Sequence, residues 1–359
     1  MYRLLEVLLL LSVFSSFTYG RGNTRVVNLR CDNMENPIVI ESRQPILQWQ
    51  LVSDQRGKRQ TAYRVMVSSS LKQLNKGKGD YWDSGKVNSS ESVINYRGKL
   101  LPSEAQLYWK VMVWDEDNTP TKWSDVSSWN MGLLKPSDWE AKWIGQREDL
   151  YPDSSLTYPA PYFRKEFAVR KAVQKAMVYV CGLGFYEMFF NGDKIGDHVL
   201  APAVTNYDKR SLKKLLYHYD DQSTQRVLYN VFDVTSYLKK QNNVIGVVLG
   251  NGWYNQRDRI VEGHMWYDVP KLILQLEIEY KDGSRETVVS DPSWKTTTGP
   301  ILHDAIFTGE VYDARLELGS WNREGYDDSA WRPALAVRPP TGACLLYTSP
   351  SPRDGATSR

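Results

Sequence analysis

Short apolar stretches rich in β-branched and aromatic residues recur along the chain, separated by Gly, Asn, Asp and Pro. Alternation of period two, with almost no run holding a 3.6-residue repeat, predicts an all-β chain. PILQWQLV (Pro45–Val52), AYRVMVSS (Ala62–Ser69) and LYWKVMVWD (Leu107–Asp115) are predicted strands, with Tyr63, Val65 and Val67 pointing one way. In the third, Trp109, Val111 and Val113 oppose Tyr108, Lys110, Met112 and Trp114. Large side chains on both faces mark a central strand. DEDNTP (Asp115–Pro120) is a turn, and KWSDVSSW (Lys122–Trp129) closes the edge of a β-sandwich over 21–134.

LLKPSDWEAKWIG (Leu133–Gly145) carries Pro136 and a Ser137-Asp138 turn, so a boundary falls there. A second β-unit follows over 138–333, through YFRKEFAV, KAMVYVCGLGFYEMFFNGDKIGD, NNVIGVVLGNGWY and KLILQLEIEYKDGSRETVVSD. NGDK (Asn191–Lys194) and KDGS (Lys281–Ser284) are predicted two-residue hairpin turns. DVTSYLKKQNN (Asp233–Asn243) is the one helical stretch, a single turn capped by Asp233. Beyond Trp331 the pattern decays, and CLLYTSPSPRDGATSR has neither periodicity nor plausible packing. Residues 340–359 are therefore set apart as an artefactual tail, with the natural protein expected to continue past residue 343.

The first twenty residues place Arg3 before the apolar run Leu8–Phe14 and end in small residues, the pattern of a secretory signal peptide over 1–20. This predicts a secreted or periplasmic protein. No other stretch is apolar enough for a membrane helix. In 359 residues, 45 basic against 42 acidic side chains give a net charge of +3, which supplies no sustained attraction for nucleic acid or an anionic membrane. Cys31, Cys181 and Cys344 are too scattered for a disulfide scaffold or a zinc site; buried free thiols are expected, although a Cys31–Cys181 bridge across domains stays open. Thirteen Trp and 22 Tyr suit both sandwich cores and stacking on sugar rings.

RQTAYRVMVSSS (Arg59–Ser70), YWDSGKV (Tyr81–Val87), YWKVMVWD (Tyr108–Asp115) and DWEAKWIG (Asp138–Gly145) resemble bacterial α-L-rhamnosidases. GLGFYEMFFNGDKIGD (Gly182–Asp197), NVIGVVLGNGWY (Asn243–Tyr254) and GEVYDAR (Gly309–Arg315) continue the resemblance in family order. It implies a fibronectin-III-like β-sandwich followed by a lectin-like, jelly-roll-type β-sandwich that recognises substrate. The family's catalytic (α/α) barrel lies downstream, where an acid and a base separated by a water hydrolyse terminal α-L-rhamnose with inversion. On that resemblance the chain is a non-catalytic fragment. Its expected partners are rhamnose-containing glycans and the missing C-terminal barrel of the same polypeptide.

LGNGWYN (Leu249–Asn255) is expected to expose Trp253 and Tyr254 on a loop, where a ring stacks on a pyranose while Asn251 or Asn255 bonds its hydroxyls. The equal alternative is that both rings plug an interface with the missing barrel. EGHMWYDVP adds His264, Trp266, Tyr267 and Asp268 to the same neighbourhood. Glu310 and Asp313, three residues apart, sit roughly 10 Å apart on opposite faces of an extended strand, with Arg315 beside them. A charge network at the sandwich edge is favoured there over an acid–base pair. No cofactor or metal is implied, and DEDN (Asp115–Asn118) lacks the further ligand positions of a calcium loop. Two rival functions remain: a stand-alone carbohydrate-binding or adhesion module, and a structural spacer.

Overall fold

The computed structural model describes residues 24–146, 158–205, 207, 226–256, 267–340 and 343–346. The expected signal peptide, His264 and Trp266 lie outside the described residues. Backbone contacts divide the chain into two compact units. The first takes residues up to 35, 46–98 and 108–127; the second takes 36–45, 99–107 and 128 onward. The sequence assigns 36–45 and 99–107 to the first sandwich, and the structure places them in the second unit. Ile40 shows why: its N–H donates to the Asn130 carbonyl (2.8 Å), and its own carbonyl accepts from Gly132 (2.8 Å).

In the first unit β1 (Arg25–Cys31), β2 (Ile46–Val52), β3 (Ala62–Ser68), β4 (Trp82–Asp83), β5 (Val87–Asn88), β6 (Val93–Asn95) and β7 (Gln106–Trp114) make two antiparallel layers. One runs β1-β2-β6; in the other β3 pairs with β4, β5 and β7. Period-two alternation buries Val65, Val67, Trp109, Val111 and Val113 between the layers, with Trp49 edge-on to Tyr63 at 5.4 Å. A helix absent from the sequence reading, α1 (Leu71–Asn75), follows β3; the Ser70 hydroxyl caps it by accepting from the Gln73 N–H. In the DEDN turn, the Lys58 ammonium ion-pairs with Asp115 (3.1 Å), Glu116 (3.1 Å) and Asp117 (2.9 Å). A lysine thus holds the centre of those acids.

β8 (Ser127–Asn130) is the edge strand beside β7, as the sequence predicts for Lys122–Trp129; then come, in the second unit, β9 (Ile144–Gly145), β10 (Pro161–Val169), β11 (Val173–Leu183), β12 (Phe185–Phe190), β13 (Asp193–Lys194), β14 (Arg226–Asp233), β15 (Gln241–Gly250) and β16 (Lys271–Tyr280). After these come β17 (Arg285–Val289), β18 (Lys295–Thr298), β19 (Ile301–Ala305), β20 (Gly309–Tyr312), β21 (Arg332–Pro333), β22 (Leu335–Ala336) and β23 (Ala343–Leu346). One sheet runs β13-β12-β15-β10-β18-β21 and the other β22-β9-β16-β11-β14-β23, with β17 also on β16. Between them lies a core of Phe163, Met188, Ile245, Val247 and Leu249 from one sheet and Val178, Val180, Leu272, Leu274 and Leu276 from the other. Each such side chain contributes about 1.5–3 kcal/mol when fully buried.

The second sheet is buried on both faces, which explains why KAMVYVCGL reads as a continuous apolar run. Its far face carries Met177, Tyr179, Cys181, Leu183 and Ile273 under Val39, Leu133, Trp139 and Trp143. The expected linker is therefore part of the fold. The Gln275 carboxamide oxygen accepts from the backbone N–H of Glu140 (2.7 Å) and Ala141 (3.2 Å), and Trp139 packs edge-on to Tyr229. The first sheet is covered likewise by Trp321, Trp331 and Tyr326. Cys31 and Cys181 are both buried.

NGDK folds as read: Asn191 and Gly192 both take positive φ (54° and 94°) between Phe190 and Asp193. KDGS does not. Only Gly283 is left-handed (φ 81°), and Tyr280 donates to the Ser284 carbonyl, so the loop has three residues. The Asp282 carboxylate accepts from the Ser284 N–H and hydroxyl, which favours the ordinary right-handed turn there. Asp233 accepts from the Thr235 N–H (2.9 Å) and starts a 3₁₀ turn, Thr235–Tyr237. Ala343–Leu346, inside the stretch set apart as a tail, forms β23 parallel to β14. Backbone pairing along a strand edge needs no side-chain pattern to announce it.

Candidate functional site

β15 ends where two glycine-containing turns meet. Gly184, between β11 and β12, holds φ at 100°, and a Cβ there would stand 1.9 Å from the Gly250 carbonyl oxygen. Only glycine permits this approach. It fixes the start of the Asn251–Asn255 turn, which closes through an Asn255 N–H bond to the Asn251 carbonyl (3.0 Å).

Asn251 and Asn255 face inward. The Asp304 carboxylate on β19 accepts from the Asn251 N–H (2.7 Å) and from its side-chain amide (3.0 Å). Asn255 Nδ2 donates to Asn251 Oδ1 (2.7 Å). Both asparagines, expected to meet sugar hydroxyls, are buried and hydrogen-bonded to protein groups. Asp304 itself was not singled out in the sequence. Burial pushes its carboxyl above the usual range, opposed in part by the bonds from Asn251 and Gly252 and by His303 beside it. The side chain of Gln256 is buried, with no hydrogen-bond partner at either amide atom.

The two aromatics part company. Tyr254 is only 1% exposed, stacked on Tyr267 (5.8 Å, 8°) and edge-on to Tyr207 (5.2 Å), so it belongs to the core rather than to a loop surface. The two neighbours point different ways from within the Asn251–Asn255 turn. Trp253 is half-buried and sets its ring edge-on to Phe307 at 5.5 Å. Asp268 is ion-paired with Lys271 (2.5 Å).

Glu310, on β20, is exposed and stands across the ladder from Asp304. Asp313 and Arg315 form a separate exposed pair, with Arg315 Nε 2.8 Å and Nη2 2.5 Å from the carboxylate. Arg315 holds the Asp313 carboxyl below its ordinary range. The structure therefore brings together Asn251, Asn255 and Asp304, and Trp253 with Phe307. It does not assemble Glu310, Asp313 and Arg315 into one network. Among the described residues, no group of three or more His, Cys, Asp or Glu could hold a metal ion.

Residues 171–353 match the family described as "Alpha-L-rhamnosidase N-terminal domain", and residues 26–135 match "Rha78A-like, N-terminal immunoglobulin domain". The chain belongs to the α-L-rhamnosidase family. It carries that family's N-terminal, non-catalytic domains, an immunoglobulin-like sandwich followed by the rhamnosidase N-terminal β-domain. An α-L-rhamnosidase of Formosa agariphila is 38% identical over 94% of this chain, which covers 37% of that enzyme. The structure of an α-L-rhamnosidase from Dictyoglumus thermophilum superposes with a TM-score of 0.79 at 40% identity, over 90% of this chain and 35% of that one. That of the Aspergillus terreus enzyme gives 0.72 at 29% identity, over 88% and 34%. The chain thus spans little more than a third of each of these three enzymes.

Proposed function

We propose that this chain is the N-terminal portion of a secreted α-L-rhamnosidase, a glycoside hydrolase releasing terminal α-L-rhamnose by inversion, and that its second sandwich assists recognition of rhamnose-containing glycans. The observation that carries the reading is the match of both family domains in order, within a chain aligned over 94% of its length to one such enzyme. Inverting hydrolysis needs one carboxyl kept protonated and a second placed to activate water. Asp313 is tied to Arg315 and held ionised, and Glu310 is exposed on the hairpin. These two do not make such a pair, so the chemistry is assigned to the rest of the enzyme. Export rests on the Arg3 and Leu8–Phe14 pattern.

Substrate contact is assigned to Trp253, whose half-buried ring is steadied by Phe307 and offers a flat apolar surface to a sugar. Incubation with an aryl α-L-rhamnoside is expected to release no phenol; turnover abolished by Glu310→Gln would overturn the assignment of chemistry elsewhere. Titration with L-rhamnose is expected to give a saturable change in tryptophan fluorescence that Trp253→Ala removes. No saturable change, at any attainable sugar concentration, would remove the recognition role.

A further inference from the structure

We propose that the β19–β20 hairpin and the turn after it form a docking face for the polypeptide that full-length α-L-rhamnosidases carry beyond the region matched by this chain. The proposal rests on the family reading above, and adds which surface meets the remainder of the enzyme.

β20 is exposed at every residue, and it belongs to a two-stranded sheet separate from the two sheets of the sandwich. A two-stranded hairpin is marginal by itself. This one is anchored through Asp304, which accepts from Asn251, through Phe307 against Trp253, and through Ile301 and Leu318 on the Trp321–Trp331 cluster. On the same short stretch Ile306, Phe307, Val311, Tyr312 and Leu316 are each between 38% and 53% exposed. Five large apolar side chains within eleven consecutive positions are more than the scattered exposed hydrophobics of an ordinary surface, and such patches mark interaction sites.

The chemistry favours a protein surface over a sugar. Three of the five, Ile306, Val311 and Leu316, are aliphatic and offer no flat ring for a pyranose, and Phe307 sets its ring against Trp253. Two of the polar groups beside them are already engaged: the Tyr312 hydroxyl donates to Glu317 (3.1 Å), and Asp313 is paired with Arg315. A sugar site needs convergent free donors and acceptors. The area favours an occupant on the same polypeptide over a second copy. Five partly exposed side chains offer on the order of 400 Å², well short of the ~800 Å² per partner of a stable independent interface. A covalently linked partner meets the face at high effective concentration, so a small contact suffices. The relatives supply that partner, since this chain covers only 37% and 35% of two of them. The hairpin lies within the stretch matched by the family's N-terminal domain.

The test compares this chain alone with the same chain joined to the remainder of the Formosa agariphila enzyme, by amide hydrogen exchange. Residues 306–316 are expected to exchange at least tenfold more slowly in the joined protein. Val311→Asp with Leu316→Ser should abolish that protection while leaving the urea midpoint of this chain alone unchanged, because both side chains are exposed. Equal exchange in the two proteins overturns the proposal. So does protection of 309–316 in this chain alone by L-rhamnose, away from the Trp253–Phe307 edge, which assigns the face to sugar, or by raising its concentration, which assigns it to a second copy. A joined protein that cleaves an aryl α-L-rhamnoside yet shows no protection sinks the docking face alone; one that does neither also sinks the family assignment of function.

Discussion

Arg164 shows how a single charge can organise a layer of the second unit. Its side chain is 1% exposed and its guanidinium is ion-paired with Glu166 and Asp328. It also donates to the carbonyls of Trp321 (2.9 Å) and Arg323 (3.1 Å), so the planar fork ties the covering segment to β10. Removing the guanidinium leaves the two carbonyls without their donor, whereas Glu166 is exposed and Asp328 keeps Lys295 as a counter-ion. Arg164→Met is therefore expected to lower unfolding free energy by about 1–3 kcal/mol, measured by urea denaturation, and Arg164→Lys to recover only part, because an ammonium cannot span four acceptors. Glu277 makes a different prediction. Burial, together with Glu140 nearby, raises its carboxyl pKa against the bonds it accepts from Gln275 and Thr287. A raised acid binds more protons folded than unfolded, so stability falls as pH climbs from the unfolded carboxylate range, about 4.3, through the folded value. Glu277→Gln should stabilise the protein at pH 7, with the gain vanishing at about pH 4; an equal gain at both pH values would contradict this.

At the scale of elements, the crossing of Gly184 beneath Gly250 joins the β11–β12 turn to the end of β15. A methyl group at Gly184 meets a backbone carbonyl, which cannot swing away as a side chain would. Gly184→Ala is expected to lower stability by more than about 2 kcal/mol, read by thermal unfolding, whereas Gly283→Ala, in an open three-residue loop, should cost about 1 kcal/mol. The strands around these turns were legible because alternation and continuous apolar runs report one-sided and two-sided burial respectively. Asn191-Gly192 was legible too, since both residues tolerate left-handed backbone. Asp282-Gly283 misled because dipeptide identity does not reveal whether the aspartate side chain bonds forward to Ser284. α1 was missed although Ser70 gave its cap: five residues are too few to show a helical period.

For the whole molecule, the all-β class and the two consecutive sandwiches could be read from pattern and motif. The division of the chain between the two units could not. Val39 and Leu133 lie far from β11 in sequence yet cover its outer face, and only the fold brings such segments together. The candidate site was half legible for the same reason. Asn251, Trp253, Tyr254 and Asn255 are adjacent in sequence, but which of them point inward depends on Asp304, some fifty residues later. The DEDN turn carries the remaining lesson. Its three acids gather around an amine that is a covalent part of the chain, so the counter-ion of this turn is inherited with the gene and cannot be diluted or sequestered. EDTA is accordingly expected to leave the thermal midpoint unchanged, and Lys58→Met to lower it by an amount that shrinks with added salt. This corner therefore keeps its shape whatever the calcium concentration around it.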